Sequence, residues 1–66
     1  MKDKLSVYLS VYYIELLAEN GREILDTKYC FSSVIRAIGR ARQLKKEHHA
    51  ARARVENADT GKIYWI

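Results

Sequence analysis

The chain of 66 residues is 48% hydrophobic and carries a formal net charge of +4. It has room for one domain with one thin core, because a chain this short buries only about 60% of the surface that its unfolded form exposes. Cys30 is the one cysteine, which excludes an internal disulfide, and we find neither a secretory signal nor the roughly 20 apolar residues of a membrane span. We therefore expect a single domain over residues 1–66, located in the cytoplasm and not in a membrane.

The first predicted element is a β-hairpin. Residues 4–18 are rich in β-branched and aromatic side chains, and a second such run follows Asn20-Gly21. Asn-Gly in this position predicts a two-residue type I′ turn, because both residues tolerate a positive φ. That turn would place Leu17 opposite Ile24. The side chains predicted to face the core are Tyr12, Ile14, Leu16, Ala18, Leu25, Thr27 and Tyr29.

The apolar positions change parity within the first run. Apolar side chains up to Val11 occupy odd positions, whereas Ile14 and Leu16 occupy even ones. A β-bulge near residues 12–13 would reconcile the two patterns, because one extra residue moves the following side chains to the opposite face. A helix over residues 3–17 is the competing interpretation. The abundance of serine, valine and tyrosine favours the strand.

The next segment has the pattern of an amphipathic helix that continues to Glu47. Ser32 or Ser33 is the predicted N-cap, because a serine hydroxyl can accept a hydrogen bond from an unpaired N–H of the first turn. Apolar residues then recur at spacings of three and four, which predicts one buried stripe. The stripe comprises Val34, Ala37, Ile38, Ala41, Leu44 and His48.

The remaining chain predicts a second hairpin. Residues 51–56 and 62–66 have strand patterns, and residues 57–61 between them are typical of a turn, with Gly61 at a left-handed position. The element order is therefore ββαββ, an α+β fold. A right-handed crossover would place the third strand antiparallel beside the first, giving a small antiparallel sheet of order 2-1-3-4 with the helix packed on one face.

Catalytic chemistry is not predicted. The sequence has no phosphate loop, no dinucleotide-binding fingerprint and no metal-spaced set of cysteine and histidine. His48 and His49 are adjacent, so on a helix they point about 100° apart and chelate one ion poorly. Cys30 is interpreted as a small buried hydrophobic residue. We expect no enzymatic activity, no metal and no cofactor.

The charge is concentrated in one segment. Residues 32–54 hold seven basic side chains and one acidic side chain, an asymmetry that indicates an anionic partner, either an acidic protein surface or nucleic acid. A solvated face that only maintains solubility is the alternative. The predicted helix docking face comprises Ile35, Arg36, Gly39, Arg40, Arg42 and Lys46.

A second candidate surface is the sheet face that points away from the helix. Glu15 and Asp26 are predicted to face each other there, and Arg52 and Arg54 would either neutralise them or extend the basic surface. Apolar residues on a face opposite the helix indicate that something covers it, and a second copy of the chain, bound through this face or an edge strand, is the simplest candidate. The predicted residues are Tyr13, Leu17, Ile24, Arg52 and Arg54.

Two stretches, YIELLAENGREILDTKY and VENADTGKIYWI, resemble in style the short accessory proteins encoded by bacteriophages and mobile elements. The resemblance implies a stoichiometric modulator of a host machine, often one that handles nucleic acid. It assigns no functional residue. We therefore expect a non-enzymatic regulatory protein that docks onto a host protein, with direct nucleic-acid binding through the basic helix as the alternative.

Overall fold

The computed structural model describes residues 8–66. These residues form β1 (Ser10–Leu17), β2 (Glu23–Phe31), α1 (Val34–Glu47), β3 (Arg52–Asn57) and β4 (Ile63–Trp65). The strands make one antiparallel sheet of order β2-β1-β3-β4, and α1 packs mainly against β3. The predicted α+β fold, its ββαββ order and its strand order are confirmed.

The core lies between α1 and the central strands. Alternate residues of β1 point toward the helix, and Tyr12, Ile14 and Leu16 are at most 3% exposed. β3 adds Ala53 and Val55, both fully buried, because they pair with Leu16 and Ile14 at the same levels. From α1, the buried side chains are Ala37, Ala41 and Leu44. Three of the eight buried residues are alanines, so the core is as thin as the chain length indicates.

The predicted turn of the first hairpin is wrong in its length. The carbonyl of Ala18 accepts a hydrogen bond from the Gly21 amide at 2.9 Å, and the Ala18 amide donates to the Arg22 carbonyl at 2.8 Å. Gly21 has a φ of +85°. This is a three-residue loop that ends on a left-handed glycine, an arrangement in which Asn20 needs no positive φ. Asn20 instead accepts a hydrogen bond from the Arg22 amide through its side chain.

The longer loop changes the strand register beside it. Leu17 pairs with Glu23, whereas Leu16 still pairs with Leu25, so Ile24 is left without a partner on β1. The predicted pair of Leu17 with Ile24 is therefore wrong. A β-bulge at this point absorbs the extra loop residue and restores the predicted register along the rest of the hairpin.

Two other interpretations of the first strand are wrong. Pairing with β2 is continuous from Ser10 to Leu16, so no bulge interrupts residues 12–13. Residues 10–17 are a strand and not a helix, because β1 is paired on both sides and its tyrosine, valine and isoleucine side chains suit a pleated sheet. Residues 3–7, on which the helix interpretation and the odd-numbered apolar pattern also rested, lie outside the described residues.

Hydrogen bonds define both ends of α1. The Ser33 hydroxyl accepts from the Arg36 amide at 3.4 Å, so Ser33 is the N-cap. His48 is the C-cap and is exposed, which corrects its predicted place in the buried stripe, since the helix stops before it. His49 follows with a φ of 52°. The Ala50 amide then donates to the Lys45 carbonyl and the His49 amide to the Lys46 carbonyl, as in a Schellman motif.

The second hairpin has the predicted turn. The Asn57 side chain accepts hydrogen bonds from the Asp59 and Thr60 amides at 2.8 and 3.2 Å. The Gly61 amide donates to the Asn57 carbonyl at 2.7 Å, and Gly61 has the left-handed φ that the sequence predicts, +77°. The turn fixes β4 beside β3, with Tyr64 opposite Val55 and Trp65 opposite Arg54.

The left-handed backbone at His49 generates a stability prediction. Glycine has no Cβ to clash in this conformation, so we expect His49→Gly to stabilise the fold by about 1 kcal/mol. His48 has a φ of −98°, so His48→Gly gains nothing and is the matched control. Urea unfolding followed by circular dichroism measures both variants. Equal effects of the two substitutions would contradict the strain at His49.

Candidate docking surfaces

The exposed side of α1 forms the first surface, which we call the helix surface and define by Ile35, Arg36, Gly39, Arg42 and Lys46. Ile35 is 78% exposed, and Gly39 follows one turn later on the same stripe. Apart from the two adjacent residues and the backbone of its own helix, no atom of the described chain lies within 4 Å of the position that a Gly39 Cβ would take. The stripe therefore begins with an exposed apolar side chain, Ile35, followed by a glycine at which the helix backbone is open to close approach.

The same stripe continues into cations. Arg42 and Lys46 follow Ile35 and Gly39 at helical spacing, and Arg36 lies beside Ile35. Within residues 8–66, none of these three cations forms a salt bridge. An open concavity at the end of the helix extends the basic region. It is lined by Arg42, Lys45, Lys46, His49, Ala50 and Ile66.

Arg40 differs from the other predicted residues of the helix face because it is held within the fold. Its guanidinium carbon lies 5.5 Å from the centre of the Tyr29 ring, and its Nη1 donates to Gln43 Oε1 at 2.8 Å. Gln43 Nε2 in turn donates to Glu47 Oε2 at 3.2 Å. Arg40 is half-buried, so it connects α1 to β2 and is less available to a partner than Arg36.

The second surface is the side of the sheet that faces away from α1, which we call the open sheet face. The strand registers place these side chains on it: Val11, Tyr13, Glu15 and Leu17 from β1, Glu23, Asp26, Lys28 and Cys30 from β2, Arg52, Arg54 and Glu56 from β3, and Ile63 and Trp65 from β4. Four of the five predicted sheet-face residues are among them. The fifth, Ile24, lies in the bulge at 38% exposure.

The sequence did not predict that Trp65 and Ile63 lie exposed on the open sheet face. Trp65 is 53% exposed and Ile63 is 41% exposed, close to the 40% of Tyr13. Their neighbours Tyr64 and Ile66 pack against the core, so the alternation of residues 62–66 carries the signal that could have identified them. Cys30 is also exposed, which corrects its predicted burial. Tyr29 and Phe31 take the positions toward the core, and the residue between them points away.

The two arginines of β3 do different things. Arg54 is the only cation within residues 8–66 that forms salt bridges, at 3.6 Å from Glu15 and 3.1 Å from Glu56. It therefore neutralises carboxylates, one of the two roles considered from the sequence. The guanidinium carbon of Arg52 lies 4.7 Å from the centre of the Trp65 ring, which leaves its charge at the surface.

The acidic side chains on the β2 side of this face repel one another. Glu15 is opposite Asp26, as predicted. A side-chain hydrogen bond with Glu15, some desolvation and the negative charges of Asp26 and Glu15 raise the pKa of Glu23 above its ordinary value. Glu15, Glu23 and Asp26 therefore form an acidic cluster, and the chain itself places too few cations beside it to neutralise its charge.

No grouping of three or more metal-binding side chains occurs in the described residues, and α1, their one helix, is too short and too polar to cross a bilayer. Comparisons with models of protein families, with curated proteins and with solved structures find no match to this chain. The two surfaces are therefore interpreted from their own chemistry.

The acidic cluster generates a prediction about pH. Because the pKa of Glu23 is raised by folding, its contribution favours the folded state at low pH and is lost as the pH rises through that pKa. Glu23→Gln imitates the protonated form. We expect it to raise the melting temperature at pH 7 and to have no effect below about pH 4, where the native carboxyl is protonated.

Thermal melts at several pH values measure this difference. Glu19→Gln, in the exposed turn, controls for the loss of one negative charge. A constant difference between Glu23→Gln and the unaltered chain from pH 3 to 7 would contradict repulsion within the cluster.

Proposed function

We propose that the protein is a non-enzymatic binding module that docks its helix surface onto an acidic region of a protein partner. The observation that carries the proposal is Ile35, a large apolar side chain 78% exposed on a helix. In water this exposure contributes nothing to folding, whereas burial against a partner would contribute about 1.5–3 kcal/mol. The cations around Ile35 indicate that the expected partner surface is negatively charged.

Gly39 supports a protein partner at this surface. A glycine in the middle of an exposed helix costs about 1 kcal/mol relative to alanine, and the open space around it shows that packing within the described chain does not require it. A partner that approaches the helix backbone at this point would require it. The stripe of Ile35, Gly39, Arg42 and Lys46 therefore combines an apolar anchor, a close-approach position and flanking charge.

The charge of α1 supports an acidic partner. The helix carries five basic side chains and one acidic side chain, and cations exposed in this way accelerate and orient the encounter with an opposite charge. The resemblance to phage accessory proteins adds a biological role, that of a stoichiometric modulator of a host protein. The exposed thiol of Cys30 supports action in the reducing cytoplasm, where such a thiol remains unoxidised.

Direct nucleic-acid binding is the second candidate, and the basic concavity at the end of α1 favours it. Arg42, Lys45, Lys46 and His49 line that concavity together, and phosphate contacts need only exposed cations. Contacts with phosphate alone would leave Ile35 without a role, because phosphate groups offer no apolar contact. We therefore rank it below docking onto a protein.

The proposal predicts a separation of stability from binding at Gly39. Gly39→Ala should stabilise the fold by about 1 kcal/mol in urea unfolding and weaken the partner complex at least tenfold, because the new methyl group occupies the approach path. The partner is first isolated from a nuclease-treated bacterial lysate on the immobilised chain. Its affinity for each purified variant is then measured by calorimetry. Unchanged affinity would remove the close-approach role of Gly39.

Two charge reversals provide a matched pair for the same measurement. Lys46→Glu, on the helix surface, should weaken the partner complex, whereas Lys62→Glu, exposed beside the second turn and outside both surfaces, changes the charge equally and should not. Ile35→Ser tests the apolar anchor. Equal affinities for Lys46→Glu and Lys62→Glu would contradict docking through the helix surface.

Salt dependence distinguishes the two candidate functions. We expect weak binding of the chain to labelled single- and double-stranded DNA, measured by fluorescence anisotropy, and its loss between about 50 and 200 mM salt, as for nonspecific phosphate contacts. Ile35→Ser should leave this binding unchanged. Tight binding that persists at 200 mM, with a salt slope reduced in Arg36→Ala and Arg42→Ala, would instead support the nucleic-acid function.

A further inference from the structure

We propose that the open sheet face is a homodimer interface, in which two copies pack face to face about a two-fold axis that runs along β1. The interface lies on the opposite side of the sheet from the helix surface, so it is independent of the proposed docking function. A symmetric pair of this kind needs one surface that is complementary to itself.

Charge complementarity between two strands of the same face carries the inference. Both β2 and β3 flank β1, and their open-face residues lie at three shared levels, defined by Leu17, Glu15 and Tyr13 of β1. At every level the two strands carry opposite charges. The pairs are Glu23 with Arg52, Asp26 with Arg54, and Lys28 with Glu56.

None of these pairs is closed by a salt bridge within residues 8–66. β2 and β3 are separated by β1, which places their facing residues roughly 10 Å apart. Within residues 8–66, Glu23, Asp26 and Lys28 form no salt bridge, and Arg54 is the only cation that does. A two-fold axis along β1 exchanges left and right, so it lays β2 of each copy over β3 of the other. Each opposite-charge pair would then occur twice, across the interface.

The middle of the face suits the axis itself. At the axis, Tyr13 and Leu17 of β1 would each contact the same residue of the other copy, through the tyrosine ring and the leucine side chain. Glu15 would also approach its copy, but Arg54 of the same chain already lies 3.6 Å from it. Trp65 and Ile63 on β4, at 53% and 41% exposure, would lie beyond the edge of the partner's β2 and outside the overlapping area.

The acidic cluster gains a partner in this arrangement. Glu23 and Asp26 repel each other and Glu15 in the single chain, as the raised pKa of Glu23 reflects. Arg52 carries a charge that no carboxylate in residues 8–66 neutralises. Face-to-face packing brings Arg52 of one copy to the acidic cluster of the other. The contact would neutralise both the charge of Arg52 and part of the negative charge of the cluster.

The size of the face sets the expected strength. The three overlapping strands span about 14 Å and six residues along a strand span about 20 Å, so the dimer would bury on the order of 600 Å² in total. That area is typical of weak, reversible complexes. We therefore expect a dissociation constant on the order of 100 μM and a dimer population that depends on concentration.

A charge exchange tests the interface. Sedimentation equilibrium of the unaltered chain should show a monomer–dimer equilibrium, and Arg52→Glu or Glu23→Arg alone should weaken it at least tenfold. An equal mixture of the two variants should recover the native dissociation constant, because the heterodimer restores both opposite-charge contacts. Arg42→Glu, on the helix surface, is the matched control and should dimerise normally. Circular dichroism verifies that each variant is folded.

Two results would overturn the proposal. One is a chain that stays monomeric up to about 1 mM. The other is a dimer that Arg52→Glu weakens no more than Arg42→Glu, or that the mixture does not restore. NMR of the unaltered chain provides a measurement that needs no variant. Amide shifts between 20 μM and 1 mM should concentrate on β1, β2 and β3, and changes confined to α1 would place the interface elsewhere.

Discussion

The alternation of side chains along β1 is the constraint on which the rest of the structure depends. This strand pairs with β2 on one side and β3 on the other. Tyr12, Ile14 and Leu16 point toward α1 and form the centre of the core. The helix has 14 residues and is the only one in residues 8–66, so one side of the sheet is covered and the other is not. The period of two that buries half of β1 therefore also leaves Tyr13 and Leu17 on the open sheet face.

The two surfaces lie on opposite sides of the molecule and differ in chemistry. The helix surface is basic, with one protruding isoleucine, whereas the open sheet face has both charges and three large apolar side chains that are exposed. Because neither surface blocks the other, both can be occupied at once. A face-to-face dimer would display two helix surfaces that point away from each other, which would raise the apparent affinity for a partner with repeated binding sites.

Local sequence signals predicted most of the fold, because the hairpins and the helix each have strong periodicity and capping or turn residues. The failures have physical causes. Asn20-Gly21 suits more than one loop, and the left-handed Gly21 alone satisfies the three-residue loop that forms. His48 fits the helical spacing of the buried stripe, but the helix ends before it. At the surfaces, the cations of α1 were predictable from composition. The complementarity of β2 and β3 required the register, since it depends on which residues share a level.

The bulge at Ile24 has a further consequence for the exposed margin of the sheet. β2 is an edge strand of nine residues, long enough to recruit strands from other molecules. The bulge near one end distorts its free hydrogen-bonding groups, and Glu23, Asp26 and Lys28 place charge along it, as in natural proteins that resist edge-to-edge growth. The other edge, β4, has only three residues. These features disfavour the addition of further strands at either edge, which matters for a chain whose thin core allows it to open more readily than a larger domain.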